Sequence, residues 1–134
     1  MIVVIDTNVL ISAAIIKHSI PGQAVRKAFL NDTVIRSLST TIELSKVLKG
    51  EKFDRYFKNA YERDIFIHLF SEKSKLIEVS HRVTLCRDPD DNKYLELALS
   101  GKAECIITGD PDLLELHPFE KIPIISPKEF VVNF

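Results

Sequence analysis

The sequence predicts an α/β protein built in three layers, α/β/α, with helices on both faces of a central parallel sheet of about five strands. The chain opens on Ile2-Val3-Val4-Ile5, a β-branched run without polar alternation, which is the pattern of a strand buried on both faces. Short apolar runs then return along the chain, separated by segments with helical spacing, and this alternation points to strand-helix-strand units rather than hairpins. At 134 residues the chain reads as one domain, 1–134, long enough to bury a core without staples.

The elements follow in order. The strand Ile2 to Ile5 ends on Asp6-Thr7-Asn8, and Val9, Leu10, Ala13 and Ala14 continue as a helix that Asp6 or Thr7 can cap. Pro21 opens a second helix, with Ala24, Val25, Ala28 and Phe29 along one side. Thr33 to Leu38 is a strand, Thr40 to Leu48 a helix, and the segment after Gly50 is looser. Tyr61, Ile65, Phe66, Leu69 and Phe70 mark a long amphipathic helix and read as core positions. Lys75 to Val79 is the third strand. A helix from Asp91 to Leu99 then turns Tyr94, Leu95, Ala98 and Leu99 inward, with Gly101 as its stop. Glu104 to Thr108 and Pro123 to Ile125 complete the sheet.

Composition excludes several classes. Eighteen basic and nineteen acidic residues give a formal charge of −1, so any nucleic-acid binding must come from a local patch rather than a global field. No signal-like segment opens the chain, and no apolar stretch approaches the roughly 18 residues needed to cross a bilayer, so the expectation is a cytoplasmic protein with no membrane partner. Cys86 and Cys105 form no C-x-x-C pair. Cys105 lies in the apolar stretch Ala103 to Ile107, which suits a reduced core thiol and a reducing compartment.

The chemistry lies in the acids. In a parallel sheet the carboxyl ends of all strands share one edge, where open α/β sheets place their ligands. Asp6 follows the first strand, Glu43 lies one helical turn past the second, Asp91 begins a helix, and Asp110 follows the fourth strand. Carboxylates gathered in one crevice repel one another unless some are protonated or a divalent cation neutralises them. Hard oxygen donors without nearby His or Cys point to Mg²⁺ or Mn²⁺ rather than Zn²⁺, and such an ion suits phosphodiester hydrolysis. Spacing leaves open whether one or two ions bind.

Four blocks carry a family resemblance: Ile5-Asp-Thr-Asn-Val-Leu10, Thr40-x-x-Glu-Leu44, the run from Asp88 to Ala98 (DPDDNKYLELA), and Ile106 to Leu114 (IITGDPDLL). In this order they resemble the successive motifs of the PIN-domain family over nearly the whole chain, above all the stand-alone toxins of toxin-antitoxin pairs related to the VapC group. The resemblance implies a PIN-like fold and a Mg²⁺- or Mn²⁺-dependent ribonuclease acting on RNA. Carried over by motif, Asp6, Glu43, Asp91 and Asp110 are the catalytic and metal-ligating acids, with Asp112 assisting. Asp91 is chosen over Asp88 and Asp90 because its register with Tyr94 and Ala98 fits the family helix; the other two read as loop or cap residues. A cognate antitoxin protein and a homodimer are implied in the same way.

Each residue also has a plainer reading. Thr40-Thr41-Ile42-Glu43 fits a capping box, in which the glutamate would bond back to the helix start. Thr108-Gly109-Asp110-Pro111-Asp112 is a natural turn and helix cap. Thr7, Asn8 and Thr108 are assigned to hydrogen-bonding the carboxylates. Lys46, Lys49, Lys52, Arg55 and Lys58 recur every third residue, and Lys46, Lys49 and Lys52 are candidate RNA contacts unless the run is a solvated face. Phe53, Tyr56, Phe57 and Tyr61 could stack bases, with core or subunit contact the plainer role. His18, His68, His81 and His117 show no ligand spacing.

Rival enzymes lack their residues. A phosphatase of the haloacid-dehalogenase type needs Asp-x-Asp after the first strand, where this chain has Asn8, and neither a receiver's acidic pair nor a Gly-rich Walker loop is present. The remaining alternative is a PIN-like module that binds RNA or protein without cleaving.

Overall fold

The computed structural model describes residues 1–134. Five strands form one sheet in which every neighbouring pair is parallel: β1 (Ile2–Ile5), β2 (Thr33–Arg36), β3 (Lys75–Leu76), β4 (Cys105–Ile107) and β5 (Ile124–Ile125), in the order β3-β2-β1-β4-β5. β1 is central, with Val3 opposite Val34 on one side and Cys105 on the other.

Successive side chains of β1 enter different layers, because a strand sends alternate residues to opposite faces. Val3 and Ile5 join a core formed with α1 (Thr7–Ile15), α2 (Ile20–Asn31), α3 (Leu38–Leu48), α4 (Ala60–Lys73) and α7 (Pro127–Asn133). Val4 joins a second core with α5 (Asn92–Ser100) and α6 (Pro111–Leu114). Both faces of β1 are therefore dry, which explains its unbroken apolar run and yields the expected α/β/α layering.

The strands are shorter than the apolar runs. β2 stops at Arg36 rather than Leu38 because Ser37 caps α3: its hydroxyl accepts from Thr40 N–H at 3.1 Å, and Thr40 Oγ1 accepts from Ser37 N–H at 3.0 Å. The helix thus begins at Leu38, before the expected Thr40. With β2 ended, β3 has little to pair with; Ile77 N–H still reaches Arg36 O at 2.8 Å, but the ladder goes no further towards Val79. On the other edge, β4 and β5 are likewise trimmed at their ends.

One other expectation is corrected. Tyr61, Ile65 and Leu69 do not enter the core: they are 69%, 41% and 45% exposed, while Arg63, Phe66, Ile67 and Phe70 form the inward row of α4. The charged residue in that row hid it from a hydrophobic reading. Arg63 is accommodated by Asp54 at 2.5 Å and by stacking on Phe57, which pins the 3₁₀ turn Glu51–Tyr56 against α4. Gly101 does stop α5 as expected, as its C-cap with φ −93°, and the positive φ of 55° falls on Lys102. Glycine stands there because a Cβ would lie 2.4 Å from Ile35 Cδ1.

Candidate active site

Asp6 stands at the carboxyl end of the central strand, its N–H bonded to Ile107 O at 2.9 Å and the residue as a whole only 4% exposed. Two donors meet it: Thr108 Oγ1 gives a hydrogen bond to Oδ2 at 2.7 Å, and the Asn8 N–H approaches Oδ1 at 3.4 Å. Asn8 therefore acts through its backbone. Burial raises the Asp6 pKa above its ordinary 3.8; the two hydrogen bonds oppose that shift, and the nearby charges of Glu43 and Asp110 add to it.

Asp110 comes in just beyond β4. Its N–H donates to Thr108 Oγ1 at 3.0 Å, so one buried hydroxyl bridges Asp6 and Asp110, and its own carboxylate caps α6 by accepting from Asp112 N–H at 2.9 Å. Asp112 contributes that N–H. Of the three acids ahead of α5, Asp88 caps the 3₁₀ turn Pro89–Asp91 by accepting from Asp90 N–H at 3.0 Å, and Asp90 is exposed. Asp91 makes no capping bond. It is pushed up to about 6, first by partial burial and then by the charges of Asp110, Asp88 and Asp6.

Glu43, on the second turn of α3, is held differently. The capping box is closed by Ser37 and Thr40, which leaves the glutamate free of any capping duty. Its Oε1 pairs with Lys93 Nζ at 3.0 Å, and its Oε2 accepts from the Tyr94 hydroxyl. The phenol also lies 2.6 Å from Thr7 Oγ1. Burial works to raise the Glu43 pKa, yet the bonds from Tyr94 and Lys93 outweigh it and hold the carboxyl below its ordinary value. Tyr94 and Lys93 were not singled out as site residues from the sequence. The available signal was a tyrosine in an apolar helical row, since a buried phenol needs a partner for its hydroxyl.

The acids are thus close enough to perturb one another, although no three His, Cys, Asp or Glu side chains stand close enough together to enclose an ion. Their donor chemistry fits a hard divalent cation. All are carboxylate oxygens, and Asp6 and Asp91 are raised first by burial and then by the neighbouring carboxylates. The histidines lie outside this group: His117 Nδ1 accepts from Ile124 N–H, His68 pairs with Glu72, and His81 meets Ser80 and Ser100.

Beside Glu43 runs a groove of about 1370 Å³ between α3 and the segment that follows β3, and Lys46, Lys52 and Lys93 line it. Lys49 does not belong to it. It turns towards α4 and pairs with Asp64 at 3.5 Å, so the three-residue basic spacing divides between two faces of the molecule. Phe53 and Phe57 pack against the core, while Tyr56 and Tyr61 are exposed.

A profile of the PIN domain matches residues 2–112. The chain belongs to the PIN-domain family. Over 98% of its length it is 34% identical to the uncharacterised protein MJ1680 of Methanocaldococcus jannaschii, covering 90% of that protein. Its fold is similar to that of two solved VapBC structures. One is VapBC-1 from nontypeable Haemophilus influenzae, with a TM-score of 0.64 and 22% identity over 95% of this chain and 98% of that one. The other is VapBC2 from Rickettsia felis, bound to a DNA fragment from its promoter, with a TM-score of 0.63 and 15% identity over 94% and 98%. PIN domains are generally nucleases that use divalent metal ions, and the sheet and layers of this chain are those of the VapC fold. No helix of the chain is long and apolar enough to cross a membrane.

Proposed function

We propose that this PIN domain is a Mg²⁺- or Mn²⁺-dependent endoribonuclease that hydrolyses RNA phosphodiester bonds and serves as the VapC-related toxin of a toxin-antitoxin pair. What supports the reading is that Asp6, Asp91 and Asp110 lie near enough beyond the carboxyl edge of the sheet for their charges to raise the pKa of Asp6 and Asp91, with Glu43 acting on Asp6 in the same way, in a chain whose family is generally nucleolytic. Asp6, Asp91 and Asp110 are the residues to hold the ion, with Glu43 completing the acidic set. A bound ion supplies an activated water and stabilises the charge that develops on the phosphate.

The chain's own groups do the rest. Thr108 fixes the direction of the Asp6 carboxylate, and the Asn8 and Asp112 backbone N–H groups orient Asp6 and Asp110. Thr7 and Tyr94 orient Glu43. Lys46 and Lys52 offer phosphate contacts along the groove, which suits a single strand led up to Glu43. The partners in this reading are RNA, a cognate antitoxin protein, as in the VapBC complexes of the same fold, and a second copy in a homodimer.

The test uses purified protein, defined single-stranded RNAs, and Mg²⁺, Mn²⁺ or excess chelator. Cleavage that requires the ion and falls to background in Asp6→Asn, with the melting curve of a folded protein retained, is expected. Equal cleavage in chelator or in Asp6→Asn refutes the metal mechanism. RNA binding without cleavage and without any divalent-dependent change in melting leaves a PIN fold that acts as a binding module. Light scattering of the purified protein settles the homodimer, and co-purification with the product of a neighbouring reading frame settles the antitoxin.

A further inference from the structure

The site holds one cation of its own. Lys93 is the third residue of the helix-opening run that begins at Asp91, and its ammonium pairs with Glu43 although Asp91 lies only two residues away on the same segment. Both Glu43 oxygens are engaged, one by Lys93 and the other by Tyr94, and the two paired side chains are only 19% and 24% exposed. The aspartates have no such partner: Asp6 is met by a hydroxyl and an N–H, Asp110 by an N–H. Positive charge is therefore distributed unevenly, all of it on the glutamate.

Lys93 also stands at a junction. It lines the groove beside Glu43 and, in addition, a smaller polar recess of about 320 Å³ shared with Ser39, Ser80, His81 and Arg82. A released ammonium thus has a polar space to enter without leaving the site.

We propose that Lys93 is a positioning residue that keeps Glu43 out of the acidic set until a divalent cation competes it away, so that ion binding and the Lys93–Glu43 pair exclude one another. The inference rests on the metal-dependent reading above. The physical reason is charge: a dication joining Asp6, Asp91 and Asp110 is repelled by an ammonium held at Glu43, and Glu43 can offer Oε1 only when Lys93 lets go. By linkage, whatever the pair contributes to the metal-free protein is subtracted from the affinity for the ion.

Mn²⁺ binding by calorimetry, without RNA, tests this in wild type, Lys93→Met and Lys93→Arg. Lys93→Met is expected to bind Mn²⁺ about fivefold more tightly, the scale of a partly exposed ion pair plus the relieved repulsion. Lys93→Arg, which keeps the charge, should stay near wild type. Lys93→Gln supplies the same comparison if the methionine variant folds poorly. A merely structural lysine would lower stability and leave the affinity unchanged or weaker. Binding by wild type with an equal or weaker affinity in Lys93→Met overturns this inference and leaves the metal reading standing. Absence of Mn²⁺ binding in every protein overturns both.

Discussion

Replacing Asp91 by asparagine should stabilise the metal-free protein at neutral pH while weakening its response to a metal. Partial burial and the neighbouring Asp110, Asp88 and Asp6 push the Asp91 carboxyl from 3.8 up to about 6. In fully water-excluded surroundings a displacement of that size is worth about 3 kcal/mol. Asp91 is only partly buried, and solvent screening reduces the figure to about 1 kcal/mol. A carboxyl with a raised folded pKa binds its proton more tightly in the folded state, so its penalty is absent below about pH 4, grows as pH rises to about 6, and is constant above. Asp91→Asn should accordingly exceed wild type by about 1 kcal/mol at pH 7, or about 3–4 °C in Tm for a chain of this size, and match it at pH 4. Mn²⁺ at one hundred times its Kd should stabilise wild type by about 2.7 kcal/mol and the variant by less. Thermal melts from pH 4 to pH 8, with and without Mn²⁺, read both effects. If the two proteins keep the same stability difference at every pH, the charge argument is wrong. If they gain equally from Mn²⁺, Asp91 is not a ligand and Asp88 or Asp90 takes its place.

Glu43→Gln should fold with a loss of no more than about 1 kcal/mol, because the capping box does not involve it and only a partly exposed ion pair is lost, yet RNA cleavage should disappear; full activity would return Glu43 to a structural role. Tyr94→Phe should cost about 1–2 kcal/mol in urea denaturation, since it strips the phenol from Thr7 and Glu43 in a buried place, and an unchanged midpoint would show those bonds to be idle. Lys46→Ala and Lys52→Ala should each lower the salt slope of binding to a noncleavable RNA by about one, whereas Lys49→Ala should leave it alone. Equal effects from all three would restore a single basic stripe.

Much of this architecture was legible because it is written locally. The unbroken β-branched run of β1 and the change from strand to helical spacing after Asp6 needed no long-range information, and the parallel layout then followed from alternation. Helix α4 was misread because its inward row contains Arg63, whose compensation by Asp54 and Phe57 appears only once the chain has folded. The ends of β2 and β3 were overextended because the Ser37 cap, rather than hydrophobicity, decides where pairing stops. At the site, the positions of the acids could be read from strand ends. The partners of Glu43 could not: Lys93 and Tyr94 lie 50 and 51 residues away, and neither residue type announces such a pairing.

The place of Asp6 on the central strand has a mechanical consequence. Its amide is bonded to Ile107 of β4, its carbonyl accepts from Val9 and Leu10 N–H, and the strand it follows is paired on both sides, so this acid is anchored to the sheet and to α1 at once. Asp91 sits at the end of a single 3₁₀ turn whose other acidic members, Asp88 and Asp90, face solvent. The site therefore pairs an anvil with a spring: when the acids draw together, the travel falls to the turn before α5 and the sheet stays where it is. Amide hydrogen exchange would record that division as hours of protection at Asp6 and rapid exchange at Asp90, the latter slowing when an ion tightens the turn.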